Sequence, residues 1–337
     1  MKERLLKYAK HAKWVGYPLF YLACLLVFAA LTFPYGKLKE HLIGAFNAQQ
    51  HATGGNQELQ IDGMSGYWLS GARLKGVRLF TASTEPGQPP QKIEIEEATF
   101  RYGILSAIFA GGSTVSFDAH AFGGEISGSY ETGGKDQSLA LSIGAIDIGR
   151  VEPLARILGV PLQGKMSGSV ELKMPDGRAS KATGSVSLVA SDVAVGDGKA
   201  KIKGALALPT IHVGTMTVGG EAKDGVLKIT KLAAGGKDLD LQGEGRITIR
   251  DVSSESLCDT QVRFRINDAY RGQSDMTKTL FGAPGSNAPP LFELADPRIK
   301  QSKRADGFYA WTMRGPLNRL DIIPAVGGGG AAPFATP

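Results

Sequence analysis

The sequence predicts a mainly β protein: one N-terminal transmembrane helix, then an antiparallel, repeatedly bent sheet with a few short helices. Three observations predict it. Near the start of the 337-residue chain, residues 14–33 form a run of twenty residues without a charge. Beyond residue 56, apolar residues recur at every second position, the side-chain period of a strand. The chain also holds 45 glycines. Most stand between Val, Ile and Leu, where they mark turns and bends of a sheet and not the Gly/Pro bias of a disordered chain.

The uncharged run, "WVGYPLFYLACLLVFAALTF", has the length a helix needs to cross a bilayer core of about 30 Å. Trp14, Tyr17 and Tyr21 lie toward its basic end and Phe33 closes it. Aromatic rings favour the membrane interface, so these four are the expected anchor residues. Pro18 falls near the helix start, where it costs least. Lys2, Arg4, Lys7, Lys10 and Lys13 precede the span with only Glu3 against them, whereas Lys37, Lys39 and Glu40 follow it. That cation bias places the N-terminus in the cytoplasm and everything after Phe33 across the membrane. A cleaved signal peptide is the alternative. Its apolar region runs to about 7–15 residues and ends at a small-residue site, but the one candidate, Val27-Phe28-Ala29, lies inside the run. A retained anchor is therefore expected.

The formal net charge is +6. Five cations against one acid put +4 of it on residues 1–13 and leave +2 for the rest. A nucleic-acid binder concentrates its cations on the folded body, so that class is set aside. The two cysteines, Cys24 in the span and Cys258 in a strand pattern, make no disulfide framework. Stability must come from burial and sheet pairing.

After Pro34, the residues Leu38, Leu42, Ile43 and Phe46 recur at helical spacing and predict a short amphipathic helix to about Gln50, ended by Gly54 and Gly55. In "MSGYWLSGARLKGVRLF" (64–80) the apolar residues change face around Gly76, which predicts a bulge or bend. Arg73, Lys75 and Arg78 then fall on alternating, solvent-side or edge positions of a framework strand and form no charged site. Residues 84–90 read as a loop and 92–102 as a strand. Residues 103–110 read as an apolar helical turn, "STVSFDAHAF" and "GGEISGSYET" as a hairpin, "QSLALSIGAIDI" as a strand and 152–159 as a short helix. A glycine followed by alternating apolar residues then recurs at 168–173, 184–189, 204–209 and 243–249. The spacing is too irregular for a solenoid and fits successive strands of one long sheet. "TQVRFRIND" (260–268) is the last clear strand before a loop-rich stretch. Residues 282–290 and 324–337 have linker composition.

No motif for chemistry stands out. His11, His41, His51, His120 and His212 are scattered without metal-ligand spacing, and no nucleophile elbow, Walker loop or C-x-x-C occurs. In "GGKDLDLQGEG" (235–245), Asp238 and Asp240 could open a calcium loop. Gln242 and Ile249 occupy positions that need ligands, so an amphipathic strand fits better. The basic run at 297–304 could meet lipid head groups; a solvated loop or a lysine-guarded sheet edge is the expectation. No catalytic, cofactor-binding or metal residue is assigned, and no cofactor is expected.

The order of these features resembles a known family. After the basic tail and span come "LTFPYGKLKEHL", "QIDGMSGYWLSGARLKGVRL", "YGILSAIFAGG" with "STVSFDAHAFGGEISGSY", and "IDIGRVEPLARILGVPLQGKMSGSVELK". This is similar to the N-protein of the bacterial type II secretion system in its long myxobacterial form, which resembles the AsmA-like envelope proteins. Residues 208–249 carry the same likeness, which covers about 15–250 and fades after Leu257. The resemblance implies a single-pass inner-membrane protein with its bulk in the periplasm and a curved sheet shaped as a groove, or folded-over taco, with an apolar inner face. It divides the chain into a cytoplasmic tail (1–13), the span (14–33), a periplasmic β domain (34–323) and a disordered tail (324–337). The implied role is structural or in assembly, in the export of folded proteins, with other secretion components as partners. The alternative is a groove that binds or transfers lipid, with phospholipid or acyl chains along the sheet.

Overall fold

The computed structural model describes residues 16–18, 20–22, 24–25, 27–28, 31–52, 55–68, 70–82, 91–103, 112–152, 154, 159–199, 201–202, 206–207, 209–252, 255–286 and 288–326. The basic tail, Trp14, the 84–90 loop, the apolar turn after Gly103 and the last eleven residues lie outside them. The fold is mainly β. Fourteen strands follow one another in one antiparallel sheet order, and the chain divides into two units, Met1–Ala119 and His120–Pro337, described in turn.

In the first unit the described residues between 16 and 32 are helical and exposed. Among the described residues no helix is long and apolar enough to cross a membrane. After Pro34 the chain forms α1 (Tyr35–Ala52). Its half-buried positions, Tyr35, Leu38, Lys39, Ile43, Phe46, Asn47 and Gln50, fall at helical spacing and make one face. That face lies along β1 (Gln57–Tyr67), the first strand of the sheet. The Asn47 side chain accepts from Leu59 N at 2.9 Å and donates to Leu59 O at 3.4 Å, and Lys39 Nζ donates to Asp62 O at 3.1 Å. Free edge groups of β1 are thus occupied by a helix, one of the ways a sheet edge is protected from pairing with another chain.

β2 (Gly71–Thr81) pairs with β1 on one side and β3 (Gln91–Tyr102) on the other, and β4 (Gly112–Ala121) follows. Of the bulge or bend expected at Gly76, the bulge is corrected here. Gly76 does have φ +61°, but the register on both sides of it is unshifted: Ile61↔Val77 and Gly63↔Lys75 on one side, Lys75↔Glu97 and Val77↔Ile95 on the other. One left-handed residue turns a peptide without adding one, so no bulge forms. Nor are the cations edge residues. Arg73 Nε lies 3.3 Å from Glu97, and Arg78 pairs with Asp62 and, at 3.7 Å, with Glu94. They cross-link three strands.

The second unit contains β5 (Gly124–Gly133), β6 (Asp136–Asp147), β7 (Leu162–Met174) and β8 (Thr183–Val195). After them come β11 (Ile211–Lys223), β12 (Val226–Gly235), β13 (Leu239–Thr248), β14 (Leu257–Ile266), β15 (Tyr309–Pro316) and β16 (Asp321–Pro324). The glycine-led runs at 168, 184 and 243 lie in β7, β8 and β13, as their alternation predicts. Of the run at 204–209, the described Leu206–Ala207 (β10) pairs with Lys201–Ile202 (β9) in a separate two-stranded ribbon.

Register shifts line up across neighbouring strands. They fall at Ile143/Ile146 in β6, Gln163/Lys165 in β7 and on both sides of Gly214 in β11. Ala145, Asp192 and Gly214 there have φ of 51°, 53° and 74°. The backbone groups freed by these bulges find side chains: Ala145 N donates to Ser167 Oγ at 2.9 Å. A row of bulges creases a sheet, and on one side of this crease lies the closed core.

That core overturns the expectation of a loop-rich end. After β14 the chain forms α2 (Asp268–Arg271), α3 (Asp275–Phe281), α4 (Leu291–Leu294) and α5 (Pro297–Ser302) before β15. Tyr270, Leu280 and Phe281 pack with Ile148, Val193, Ile211, Val213, Leu239 and Ile266. Ser274 starts α3 with a reciprocal cap, accepting from Thr277 N at 3.1 Å while Ser274 N donates to Thr277 Oγ1 at 3.0 Å. The basic run at 297 is α5, with Asp296 as its cap, Pro297 at its first turn, and Ile299 and Ser302 buried. Residues 297–302 are therefore not a solvated loop, while Lys303, just past the helix, bridges to Tyr309.

Candidate functional site

The alternation of the strands sorts their side chains into two faces, and the pairing register aligns those faces across the second unit. One row runs Ile126, Ile143, Gly168, Leu188, Val218, Leu232, Gly243, Val262, Trp311, one residue from each of nine strands. The row beside it runs Gly128, Leu141, Val170, Val186, Gly220, Ile229, Gly245, Thr260, Met313. Neither row contains a charge. A row on the opposite face runs Glu171, Ser185, Glu221, Lys228, Arg246, Asp259, Arg314, Asp321. Every member of the first apolar row is half-buried, whereas most of the charged row is exposed. Apolarity is thus a property of one face and extends over nine strands.

The helices α2–α5 close this face at one end of the strands. Their attachment is specific. Phe264 stacks on Tyr309 and Phe292 meets both edge-on, with ring centroids 5.5–6.4 Å apart, and Phe264 reaches Trp311 of the first row at 6.2 Å. Tyr309 Oη donates to Glu293 Oε1 at 2.6 Å, and Lys303 Nζ donates to the same oxygen at 2.7 Å. Glu293 is 6% exposed. Burial alone would raise its pKa, but the two donors outweigh it and hold the carboxyl below its ordinary value. Burial and the bond to Glu293 push the Tyr309 phenol up. Tyr270 Oη donates to Pro209 O and Thr210 O at 3.3 and 3.1 Å, and burial pushes its phenol up to about 12.

Asp238 and Asp240, the calcium-loop candidates, have other uses. Asp238, 3% exposed, accepts from His212 N at 2.8 Å and lies 2.8 Å from His212 Nδ1. It stands just before β13 and not within it, so its fit to the simple in-out alternation fails. Asp240 takes Arg265 at 2.8 Å. Both carboxylates are consumed by ties between β11, β13 and β14. Among the described residues no group of three or more His, Cys, Asp or Glu could hold a metal ion.

A cavity of about 510 Å³ opens on the charged face, lined by Lys228, Glu244, Arg246, Asp259, Gln261 and Arg314, among others. Asp259 there is shared by Arg314 at 3.1 Å and Arg246 at 3.6 Å. Its charges oppose one another across strands and converge on nothing.

Of the expected anchor residues, Tyr17, Tyr21 and Phe33 are described and leave 61%, 70% and 47% of their surface exposed. Leu25, Phe28 and Leu31 beside them are also exposed. Trp14 and the cations Lys2, Arg4, Lys7, Lys10 and Lys13 lie outside the described residues. Sequence reasoning missed Trp68, 76% exposed at the β1–β2 turn. Nothing in its local pattern separates it from a core residue.

Comparison with protein families, curated proteins and solved structures finds no match.

Proposed function

We propose that this chain is a bacterial envelope protein, tethered to the inner membrane by residues 14–33, whose sheet shelters the acyl chains of a phospholipid along its uncharged rows. The observation that carries the reading is the first row itself: nine strands contribute to it without one charge, and each position stays half-buried. What these rows still present to solvent is apolar and uncharged, and covering it is favourable at about 25 cal/mol per Å². The exposed rings and leucines of the 16–32 segment support the tether, since apolar side chains gain nothing from water on all sides of a helix.

The second reading, a structural or assembly component of a type II secretion machine, rests on the sequence resemblance. Its segment "IDIGRVEPLARILGVPLQGKMSGSVELK" spans the link from β6 through β7. Joining other components edge to edge is disfavoured at β1, whose edge α1 occupies.

Purification in mild detergent, with co-eluting lipids and proteins identified together, tests both. The native chain should carry phospholipid. Leu188→Asp, on the apolar row, should lose most of it, and Ser187→Asp, its neighbour on the other face, should keep it. Lipid-free native protein would defeat the first reading. Normal export of exoproteins in a deletion strain would defeat the second.

A further inference from the structure

Within the first unit, the hairpin tip between β1 and β2 carries two costs. Trp68 leaves 76% of its surface exposed, and its backbone is left-handed, φ 53°, a conformation costing roughly 1–2 kcal/mol for a residue with a Cβ. Such strain persists where the surroundings over-determine it, and it clusters at functional positions.

The tip also has a definite place. A Cβ on Gly66 would lie 2.8 Å from Tyr35 Oη, so the Tyr35 ring sits against the strand two residues before Trp68. The Tyr35 and Phe33 rings are 4.9 Å apart, and Phe33 is where the apolar segment ends. On the far side of the tip, Ser70 Oγ donates to Tyr102 O at 2.7 Å and Tyr102 N donates to Ser70 O at 3.1 Å. Tyr102 is exposed. The guanidiniums of Arg73 and Arg101 lie 5.1 and 5.8 Å from the Tyr67 ring. One end of the unit therefore gathers Phe33, Tyr35, Tyr67, Trp68 and Tyr102 with exposed Arg101. The other end of the same hairpin is polar: Gln57 pairs with Thr81, and Asn56 Nδ2 donates to Ala82 O at 2.9 Å.

We infer that the Trp68 tip sits in the headgroup layer of the bilayer that the 16–32 segment enters. The inference rests on the proposed tether. Rings with an apolar body and a polar edge favour that layer, and an arginine fork suits lipid phosphate. Contact at the tip as well as at the anchor fixes how the first unit stands on the membrane, which a single helix leaves free to swivel.

The test uses the full chain in vesicles of phosphatidylethanolamine and phosphatidylglycerol carrying brominated phosphatidylcholine. Trp68 emission is the difference between the Trp14→Phe chain and the Trp14→Phe/Trp68→Phe chain. Trp14 emission is the difference between the Trp68→Phe chain and the same double variant. Trp311 stays in every protein, so the aromatic packing around it is untouched. Trp68 emission should shift to the blue on reconstitution and be quenched more by bromines near the head group than by bromines deep in the acyl chain. Quenched Trp14 beside unquenched Trp68 would overturn the inference and leave the tether standing: the tip then faces water or another protein. Stronger quenching by deep bromines would overturn the headgroup placement. Failure of both tryptophans to be quenched would remove the tether and the inference with it.

Discussion

Glu293→Ala should loosen the helical cap while leaving the sheet paired. The magnitude follows from the carboxylate's two partners. Tyr309 Oη is buried against Glu293 at 2.6 Å, and removing the acceptor strands a buried hydroxyl at about 1–3 kcal/mol. Lys303 is 41% exposed at its side chain, so its share is that of a surface pair, about 0–1 kcal/mol. The loss therefore comes to roughly 1–4 kcal/mol of local stability, or about 5- to 1,000-fold in an opening equilibrium. Amide hydrogen exchange reads this directly, because the cap carries hydrogen-bonded amides at Glu293, Leu294, Ala295 and Ile299. Glu293→Gln keeps an acceptor and should lose less. The same group predicts a pH dependence. Folding depresses its pKa, so its contribution is full above the unfolded value of about 4.3 and disappears as pH falls through the lower folded value. Exchange in 291–302 that is unchanged by Glu293→Ala would refute the claim that this carboxylate pins the cap.

Three further outcomes follow from the first unit. Asn47→Ala should open the backbone of Leu59 on the β1 edge to water, costing about 0.5–1.5 kcal/mol per lost hydrogen bond; it should speed exchange at Leu59 and raise self-association seen by light scattering. Gly76→Ala should lower the melting temperature, because its left-handed φ costs roughly 1–2 kcal/mol and the new Cβ collides with the Asp62 carboxylate. Arg73→Ala, which breaks a pair about one-third exposed on each side, should cost only about 0–1 kcal/mol. A melting temperature that falls as much in Arg73→Ala as in Gly76→Ala would contradict this order.

What could be read from the sequence divides along physical lines. β7 alternates strictly between half-buried and exposed positions, and β8 does so as far as Val189; a period of two is local information. The alignment of those apolar positions into rows is not local, since it depends on register across nine strands. The pairing of His212 with Asp238 has the same origin: 26 residues separate them, and only the hairpin that follows β11 brings them together. The cap was partly legible. Ser274 with Thr277, and Asp296 before Pro297, are helix starts, and Ile299 with Ser302 shows helical spacing. The charges of the 297–304 run outweighed those signals, and helices of four to seven residues offer little periodicity to set against them. Glu293 in "LFELAD" looks like an ordinary surface acid. Its burial becomes apparent only when Tyr309, sixteen residues later, folds back onto it.

The geometry of the rows constrains what could fill them. Nine adjacent strands are separated by eight spacings of about 4.8 Å, so each row is roughly 38 Å long. The acyl region of one bilayer leaflet is about 15 Å thick, half of a 30 Å core. A single chain as it lies in a leaflet would cover less than half of a row and leave the remainder facing water. Two chains end to end, or several side by side across the neighbouring rows, would cover it. The bulge crease and the aromatic cap close one end of the strands, so the rows run beside a wall and a long occupant would lie across the strands. A phospholipid with two chains, or more than one lipid per protein, is therefore the stoichiometry expected in the co-eluting fraction. One short fatty acid per chain, saturating and unaffected by Leu188→Asp, would mean that the rows serve something other than acyl chains.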